Sequence, residues 1–270
     1  MLGRGVESAD SAQRDLRVRA CRDPGMVAVP HLHVSLGVPR RASDVTPVGL
    51  VVFDLAGTTI KDPDHVASAF VAALAEQEIQ VSEGDLSGVR GASKRQAIAR
   101  FIPDGPERAR RAEAAYAAFR EHLANAYRAN GVHAIAGADA VFRDLRARAV
   151  RVALNTGFER DLAELLLQGL RWDTGVVDAV ICGDDVSEGR PAPFMIFRAM
   201  ERTNVHSVHE VANVGDTDLD LRAGANAGVR WNVGVLTGAH DRQRLSSAPH
   251  THLLDSIADL PALWPEIQGR

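Results

Sequence analysis

One short stretch decides the fold of this chain. It is Val51-Val52-Phe53-Asp54-Leu55-Ala56-Gly57-Thr58-Thr59. Its apolar, β-branched beginning predicts a buried strand that ends at the carboxylate of Asp54, where open α/β sheets place their ligands. Gly57 lets the backbone approach a bound anion, and Thr58 and Thr59 offer N–H and O–H donors. The stretch predicts an anion site, although a strand followed by a polar turn explains it equally well when taken alone.

The composition excludes several classes of protein. The 270 residues are 46% apolar and carry a net charge of −4, which argues against nucleic-acid and membrane-surface partners. No run of eighteen apolar residues is present, so the sequence predicts no membrane span. The cysteines, Cys21 and Cys182, fit a reduced compartment, and we expect a cytoplasmic protein that acts on a small molecule.

Lysine is nearly absent from the chain. Of 31 basic residues only two, Lys61 and Lys94, are lysines. An amine can lose its proton and a guanidinium cannot, so a retained lysine raises the question of whether the chemistry needs it. We interpret Lys61 as a surface charge.

The periodicity of the chain alternates between strands and helices after an irregular start. Residues 1–46 show no sustained period and are predicted to be a disordered extension. Predicted strands lie at 48–54, 151–155, 176–182, 211–214, 231–236 and 252–254. Helices separate them, and about seventy helical residues follow the first strand. This pattern predicts an α/β fold, a doubly wound parallel sheet of Rossmann-like type with an inserted helical cap. The core would comprise residues 47–62 and 133–270, and the cap residues 63–132.

Four predicted strand ends carry polar residues. These residues are Asp54, Thr156, Gly157, Arg190, Asp216 and Asp220. Each has a structural explanation by itself as a helix cap, a turn or a surface charge, but all four ends together are improbable by chance. They supply a carboxylate nucleophile, a hydroxyl, N–H and guanidinium clamp for an anion, and acids for a hard cation. The sequence therefore predicts a Mg²⁺-dependent phosphoryl-transfer site.

The motifs resemble a known family. Residues 48 to about 240 are similar to the haloacid dehalogenase superfamily, and within it to the phosphonatase branch, whose first motif is Asp-x-Ala-Gly-Thr-Thr. Here that motif is Asp54-Leu55-Ala56-Gly57-Thr58-Thr59, and Arg190 stands in the branch's Gly-Arg-Pro-x-Pro where most of the superfamily has lysine. The other motifs are Asn-Thr-Gly-Phe at 155–158 and Gly-Asp-Thr-x-x-Asp at 215–220, ending at Asp220.

The resemblance implies a role for each motif residue. Asp54 would attack phosphorus, and Mg²⁺ would be held by Asp54, Asp216 and the Ala56 carbonyl, with Asp220 in support. The residues implied to hold the substrate's phosphoryl group are Ala56, Gly57, Thr58, Thr156, Gly157 and Arg190. A homodimer formed through the cap is expected from the same resemblance.

Lys94 is the candidate for a second catalytic residue. In the phosphonatase branch a cap lysine forms a Schiff base with an aldehyde substrate, and Lys94 matches its place. It is predicted at the first turn of a helix capped by Ser93, where the helix dipole and the charges of Arg90 and Arg95 would favour a neutral amine. An ordinary exposed lysine is the alternative.

Ala56 agrees with this chemistry because alanine cannot protonate the leaving group of a phosphate ester. Cleavage of a C–P bond next to an iminium releases an enamine and needs no such acid. Ala97, Phe158 and Arg90 differ from the histidine, tyrosine and methionine of phosphonoacetaldehyde hydrolases, so the resemblance implies either phosphonoacetaldehyde or a related phosphonate as the substrate. Two alternatives stay open: a phosphatase or phosphomutase with a substituted acid, and a non-catalytic protein that binds a phosphate metabolite.

Overall fold

A computed structural model of the chain describes residues 47–267. The predicted extension at residues 1–46 lies outside the described part, so that prediction stays untested. The described part contains one parallel six-stranded sheet with helices packed on it.

The sheet has the doubly wound order β3-β2-β1-β4-β5-β6, and every neighbouring pair is parallel. The strands are β1 Leu50–Asp54, β2 Arg151–Asn155, β3 Ala179–Ile181, β4 Val211–Gly215, β5 Trp231–Val235 and β6 His252–Leu254. All five residues of β1 are buried, as are all five of β4, because helices cover both faces of the sheet. The predicted α/β fold is confirmed.

Five helices lie along the chain between β1 and β2. The first four are α1 His65–Ala75, α2 Glu83–Ser87, α3 Lys94–Phe101 and α4 Arg108–Asn130. The remaining helices are α5 Ala138–Ala147, α6 Arg160–Leu170, α7 Phe194–Thr203, α8 Asp218–Ala227, α9 Arg242–Ser246 and α10 Trp264–Ile267. Short 3₁₀ turns lie at Gly183–Asp185, Val208–Glu210 and Ile257–Leu263.

Helices α1, α3 and α4 pack around an aromatic cluster. The Phe70 ring meets Phe101 and Phe119 edge-on, at centroid distances of 5.7 and 6.1 Å. Phe70 and Phe119 are buried in the same hydrophobic cluster as Phe53 of β1. Burying a phenylalanine stabilises a fold by about 1.5–3 kcal/mol, so this cluster fixes the helices over the sheet. The boundary between cap and core at residues 62 and 133 stays a prediction.

Three local predictions need correction. Strand β3 begins at Ala179 and not at Val176, because a turn through Gly175, whose φ is 66°, includes Val176. The sequence predicts a helix over 191–202 with prolines in its first turn, but α7 begins at Phe194 and Pro193 is its N-cap, so the prolines precede the helix. Ser93 does stand at the N-cap of α3, but its side chain makes no capping hydrogen bond.

Candidate active site

Three carboxylates meet at the carboxyl ends of the central strands. Asp54 ends β1, Asp216 directly follows the neighbouring β4, and Asp220 lies in the first turn of α8. All three side chains are buried, and one oxygen from each lies within 4.8 Å of the others. The structure therefore brings together the three acids that the sequence singled out.

Arg190 is the cation inside this carboxylate cluster. Its Nη2 lies 2.6 Å from Asp54 Oδ1, and its Nη1 pairs with Asp220 Oδ1. Nη2 also donates to Oδ1 of Asn155, 3.3 Å away, and β2 places that residue beside Asp54 in the register of the sheet. Arg190 is 5% exposed, and its Nε is buried without a hydrogen-bond partner. Arg190 therefore orients the expected nucleophile and keeps its Nε donor unpaired.

Asp216 is held by hydrogen bonds from both sides. Its Oδ1 accepts from Thr58 Oγ1 at 2.9 Å, and its Oδ2 accepts from the Ala239 N–H at 2.7 Å. Burial raises the pKa of Asp216 well above its ordinary value, and the charges of Asp54 and Asp220 raise it further. The carboxylate also explains Gly57, whose φ is 91°, since a Cβ there would lie 2.5 Å from Asp216 Oδ2.

The two threonines of the first motif differ from expectation. Both are fully buried, and neither lines the cavity. The Thr58 hydroxyl donates to Asp216, and the Thr59 hydroxyl is 3.0 Å from the carbonyl oxygen of Asp54. A buried hydroxyl needs a partner, and here protein acceptors provide it. Thr58 thus positions a carboxylate in the structure instead of presenting its hydroxyl to a ligand.

Asp220 has two structural duties. Its Oδ2 accepts from the N–H and hydroxyl of Thr217, the reciprocal N-terminal capping arrangement of α8. Its Oδ1 pairs with Arg190. Burial raises the pKa of Asp220 to about 6, while Arg190 opposes the rise. Asp220 is therefore tied into the protein through both oxygens.

A cavity of about 150 Å³ lies between the strand ends and the first three helices. Eight predicted site residues line it: Asp54, Ala56, Gly57, Lys94, Thr156, Gly157, Arg190 and Asp216. Thr58 and Asp220 support these residues from behind. The wall on the helical side is largely apolar and includes Val66, Phe70, Leu86 and Val89.

Lys94 is buried in this cavity wall at the start of α3. Its Nζ donates to the carbonyl oxygen of Ala92 at 3.1 Å and lies 5.9 Å from the centre of the Phe158 ring. Burial, and next the charge of Arg190, lower the pKa of Lys94 to about 8 against the opposing effect of nearby carboxylates. The expectation of an activated amine is thereby supported, and that of an exposed lysine is not. Lys61 is exposed.

The structure corrects the predicted source of positive charge near Lys94. The sequence pointed to Arg95, but this side chain pairs with Glu113 and Glu159 and stacks on Tyr116, 4.3 Å from its ring centre. Its charge is therefore compensated, and the guanidinium that acts on Lys94 is Arg190. The prediction from sequence was wrong because the side chains of Lys94 and Arg95, although adjacent in sequence, lie on different sides of the helix.

Sequence reasoning missed two features of the site. Asp62, on the connection between β1 and α1, is half-buried and lines the cavity. Gly91, with φ of 81°, packs against Thr217, so that a Cβ would lie 2.4 Å from the threonine Oγ1. The sequence does contain a signal that could have identified Asp62. It is an acidic residue eight positions after Asp54, just before a predicted helix.

Comparison with known proteins identifies the family. The model of the haloacid dehalogenase-like hydrolases matches residues 51–233. This chain belongs to that family of hydrolases. Among the described residues, no helix has both the length and the apolar character that crossing a membrane requires.

Curated relatives and solved structures agree with this assignment. The chain is similar to phosphonoacetaldehyde hydrolase of Paraburkholderia xenovorans, with 27% identity over 83% of this chain and 96% of that protein. It is 31% identical to phosphonoacetaldehyde hydrolase of Parabacteroides distasonis, over 47% of this chain but only 56% of that protein. The fold resembles a phosphonoacetaldehyde hydrolase-like protein from Oleispira antarctica, with a TM-score of 0.72, 22% identity, and 83% and 94% of the two chains covered.

Proposed function

We propose that this hydrolase cleaves the C–P bond of phosphonoacetaldehyde or a related phosphonate through an aspartate nucleophile and a lysine Schiff base. One observation carries the proposal. Lys94 is buried in the same cavity as Asp54, with its pKa lowered to about 8. A lysine that is partly neutral near neutral pH is a nucleophile for carbonyl groups.

The reaction uses both sides of the cavity. The neutral Lys94 amine attacks the substrate carbonyl, water is lost, and an iminium forms. Asp54 then attacks phosphorus, the C–P bond breaks, and its electron pair moves toward the iminium nitrogen, which gives an enamine. Water hydrolyses the aspartyl phosphate and releases phosphate. Protonation of the enamine and hydrolysis of the imine release the aldehyde and restore Lys94.

Ala56 supports this reaction over ester hydrolysis. It lines the cavity two residues after Asp54, where a methyl side chain supplies no proton. An alkoxide leaving group needs a general acid, whereas an enamine leaving group is stabilised by its own nitrogen.

A divalent cation fits the carboxylate cluster. Three buried carboxylates share the site with a single guanidinium, and burial together with mutual repulsion raises the pKa values of Asp216 and Asp220. Oxygen donors of this kind suit Mg²⁺. Asp54, Asp216 and the Ala56 carbonyl would hold it, with Asp220 in support, and the ion would offset the charge of an incoming phosphonate.

The remaining cavity residues hold and orient the substrate in this proposal. Thr156 and Gly157 offer a hydroxyl and a backbone N–H to the phosphoryl oxygens, and Arg190 fixes the Asp54 carboxylate for in-line attack. The helices above the cavity exclude bulk water from the reacting groups.

Reductive trapping tests the proposal. The protein is incubated with phosphonoacetaldehyde and Mg²⁺, reduced with borohydride, and mapped by peptide mass spectrometry while phosphate release is measured. We expect an adduct on Lys94 and phosphate in solution. Lys94→Arg should lose both, and Lys61→Arg, which changes the only other lysine, should lose neither.

Two other outcomes would favour the alternative functions instead. Phosphate release from sugar phosphates without any lysine adduct would define a phosphatase or phosphomutase. Thermal stabilisation by phosphonates without phosphate release, retained in Asp54→Asn, would define a binding protein.

A further inference from the structure

Asp62 is a carboxylate in the cavity wall that has no role in the proposed mechanism. The chain passes from β1 to α1 through this residue, and its half-buried side chain lines the cavity together with Lys94. The connection therefore places a carboxyl group on the helical side of the cavity, which is also the side of the amine.

Few groups around the cavity can exchange a proton with a substrate. The titratable residues among the described residues that line it are Asp54, Asp62, Asp64, Arg90, Lys94, Arg190 and Asp216. No histidine, cysteine or tyrosine is among them. Asp54 and Asp216 belong to the carboxylate cluster, and a guanidinium keeps its proton. The remaining candidates for proton exchange with the substrate are Asp62 and Asp64, and Asp64 is exposed.

The surroundings of Asp62 suit proton exchange. Its Oδ1 accepts the N–H of Val66 at 3.1 Å, which anchors the carboxyl group at the first turn of α1. Burial raises the pKa of Asp62, while hydrogen bonds from α1 and the charges of His65 and Lys94 oppose the rise. Burial raises the pKa of the Tyr127 phenol, on α4, and the charge of Asp62 raises it further. A carboxyl group of raised pKa takes and returns protons more readily near neutral pH.

We infer that Asp62 is the residue that transfers protons during Schiff-base formation at Lys94, an inference that rests on the proposed function. Schiff-base formation requires protons to leave nitrogen and to reach oxygen, and Asp62 is the half-buried carboxyl group of the cavity wall that is available for both. The carboxylate has about four acceptor positions, so its hydrogen bonds with the backbone of Val66 and His65 leave acceptor capacity for the substrate.

The proton balance closes without any other group. The Asp62 carboxylate takes a proton from the Lys94 ammonium, and the neutral Nζ bonds to the carbonyl carbon. The carboxyl group gives its proton to the carbonyl oxygen and accepts another from the nitrogen, which leaves a neutral carbinolamine. It then donates the proton it holds to the hydroxyl group, the C–O bond breaks, and water leaves. The products are the iminium, water and the Asp62 carboxylate.

The test compares two aspartates whose side chains each accept a backbone N–H from the first turn of a helix. Asp62→Asn keeps an oxygen to accept the Val66 N–H but cannot transfer protons. Asp241→Asn is the matched control, since Asp241 Oδ1 accepts the Arg244 N–H at 2.8 Å at the start of α9 and Asp241 does not line the cavity. Borohydride trapping of the Lys94 adduct with phosphonoacetaldehyde is followed in time between pH 6 and 9, with thermal unfolding of each variant.

We expect Asp62→Asn to form the adduct about tenfold more slowly or worse, with an altered pH profile and an unfolding temperature near that of the wild type. Asp241→Asn should match the wild type throughout. If Asp62→Asn does not fold, Asp62→Ser serves, because a serine oxygen also caps helices.

Three results would overturn the inference. A wild-type rate and pH profile in Asp62→Asn would remove Asp62 from the reaction while leaving the proposed function intact. A slow Asp64→Asn beside a normal Asp62→Asn would move the role to Asp64. Absence of any Lys94 adduct in the wild type would reject the proposed function and this inference with it.

Discussion

Arg190 Nη2 and Asp54 Oδ1 form a buried ion pair at 2.6 Å, and the same guanidinium pairs with Asp220. One cation thus serves two carboxylates that are almost entirely removed from solvent. Removing one partner of a buried ion pair is costly because the other is left charged in a medium of low polarity.

Arg190→Met should therefore destabilise the fold strongly. We expect a loss of about 3–5 kcal/mol in the free energy of unfolding, measured by urea denaturation without divalent cations. Arg198→Met is the control, since Arg198 pairs with Glu201 on the exposed side of α7, and it should cost about 0–1 kcal/mol. Equal losses in the two variants would contradict the importance of the buried pair.

The buried amine predicts an unusual dependence of stability on alkaline pH. The pKa of Lys94 is about 8 in the folded protein against 10.5 ordinarily. Below pH 8 both states hold the proton, and the cost of burying the ammonium is fully present. Between these values the unfolded chain binds more protons, so the free energy of unfolding rises with pH.

Comparison with Lys94→Met isolates this effect, because methionine does not titrate. The stability of the wild type relative to Lys94→Met should increase by up to about 3 kcal/mol between pH 8 and 10.5. Lys61→Met should show no such change, since Lys61 is exposed. A constant difference between wild type and Lys94→Met across this range would mean that Lys94 titrates normally.

The carboxylate cluster predicts a Mg²⁺-dependent stabilisation. At 100 times its dissociation constant, Mg²⁺ should raise the free energy of unfolding of the wild type by about 2.7 kcal/mol. Asp216→Asn should lose most of this gain, yet be no less stable without metal, because it removes one of three crowded carboxylates. Asp255→Asn, an exposed change, should respond like the wild type in thermal-shift measurements. An undiminished Mg²⁺ response in Asp216→Asn would place the ion elsewhere.

Gly91, in the loop before α3, packs against Thr217, in the loop after β4. We predict that turnover needs this contact between the two loops. In Gly91→Ala the positive φ and the clash with Thr217 would add strain of about 1–3 kcal/mol. If the loop moves away to relieve it, kcat/KM should fall about ten- to hundredfold. Gly105→Ala, in the loop between α3 and α4, has nothing within 4 Å of the new Cβ and should be unaffected. Normal kcat/KM in Gly91→Ala would show that the contact is dispensable.

The sequence by itself determined the fold and most of the candidate site. Apolar strands each followed by polar residues predicted the parallel sheet, and the ends of parallel strands meet at one edge. Asp54, Asp216 and Arg190 were found in this way. Lys94 was found because lysine is so rare in this chain.

Only the tertiary structure decided how these groups pair. Thr58 donates to Asp216, 158 residues away, and Arg190 lowers the pKa of a lysine that sequence neighbours were expected to influence. Asp62 lines the cavity because α1 folds back over the sheet. Local patterns follow from backbone periodicity, which the sequence records, whereas hydrogen bonds and pKa shifts follow from short distances between residues far apart in the chain.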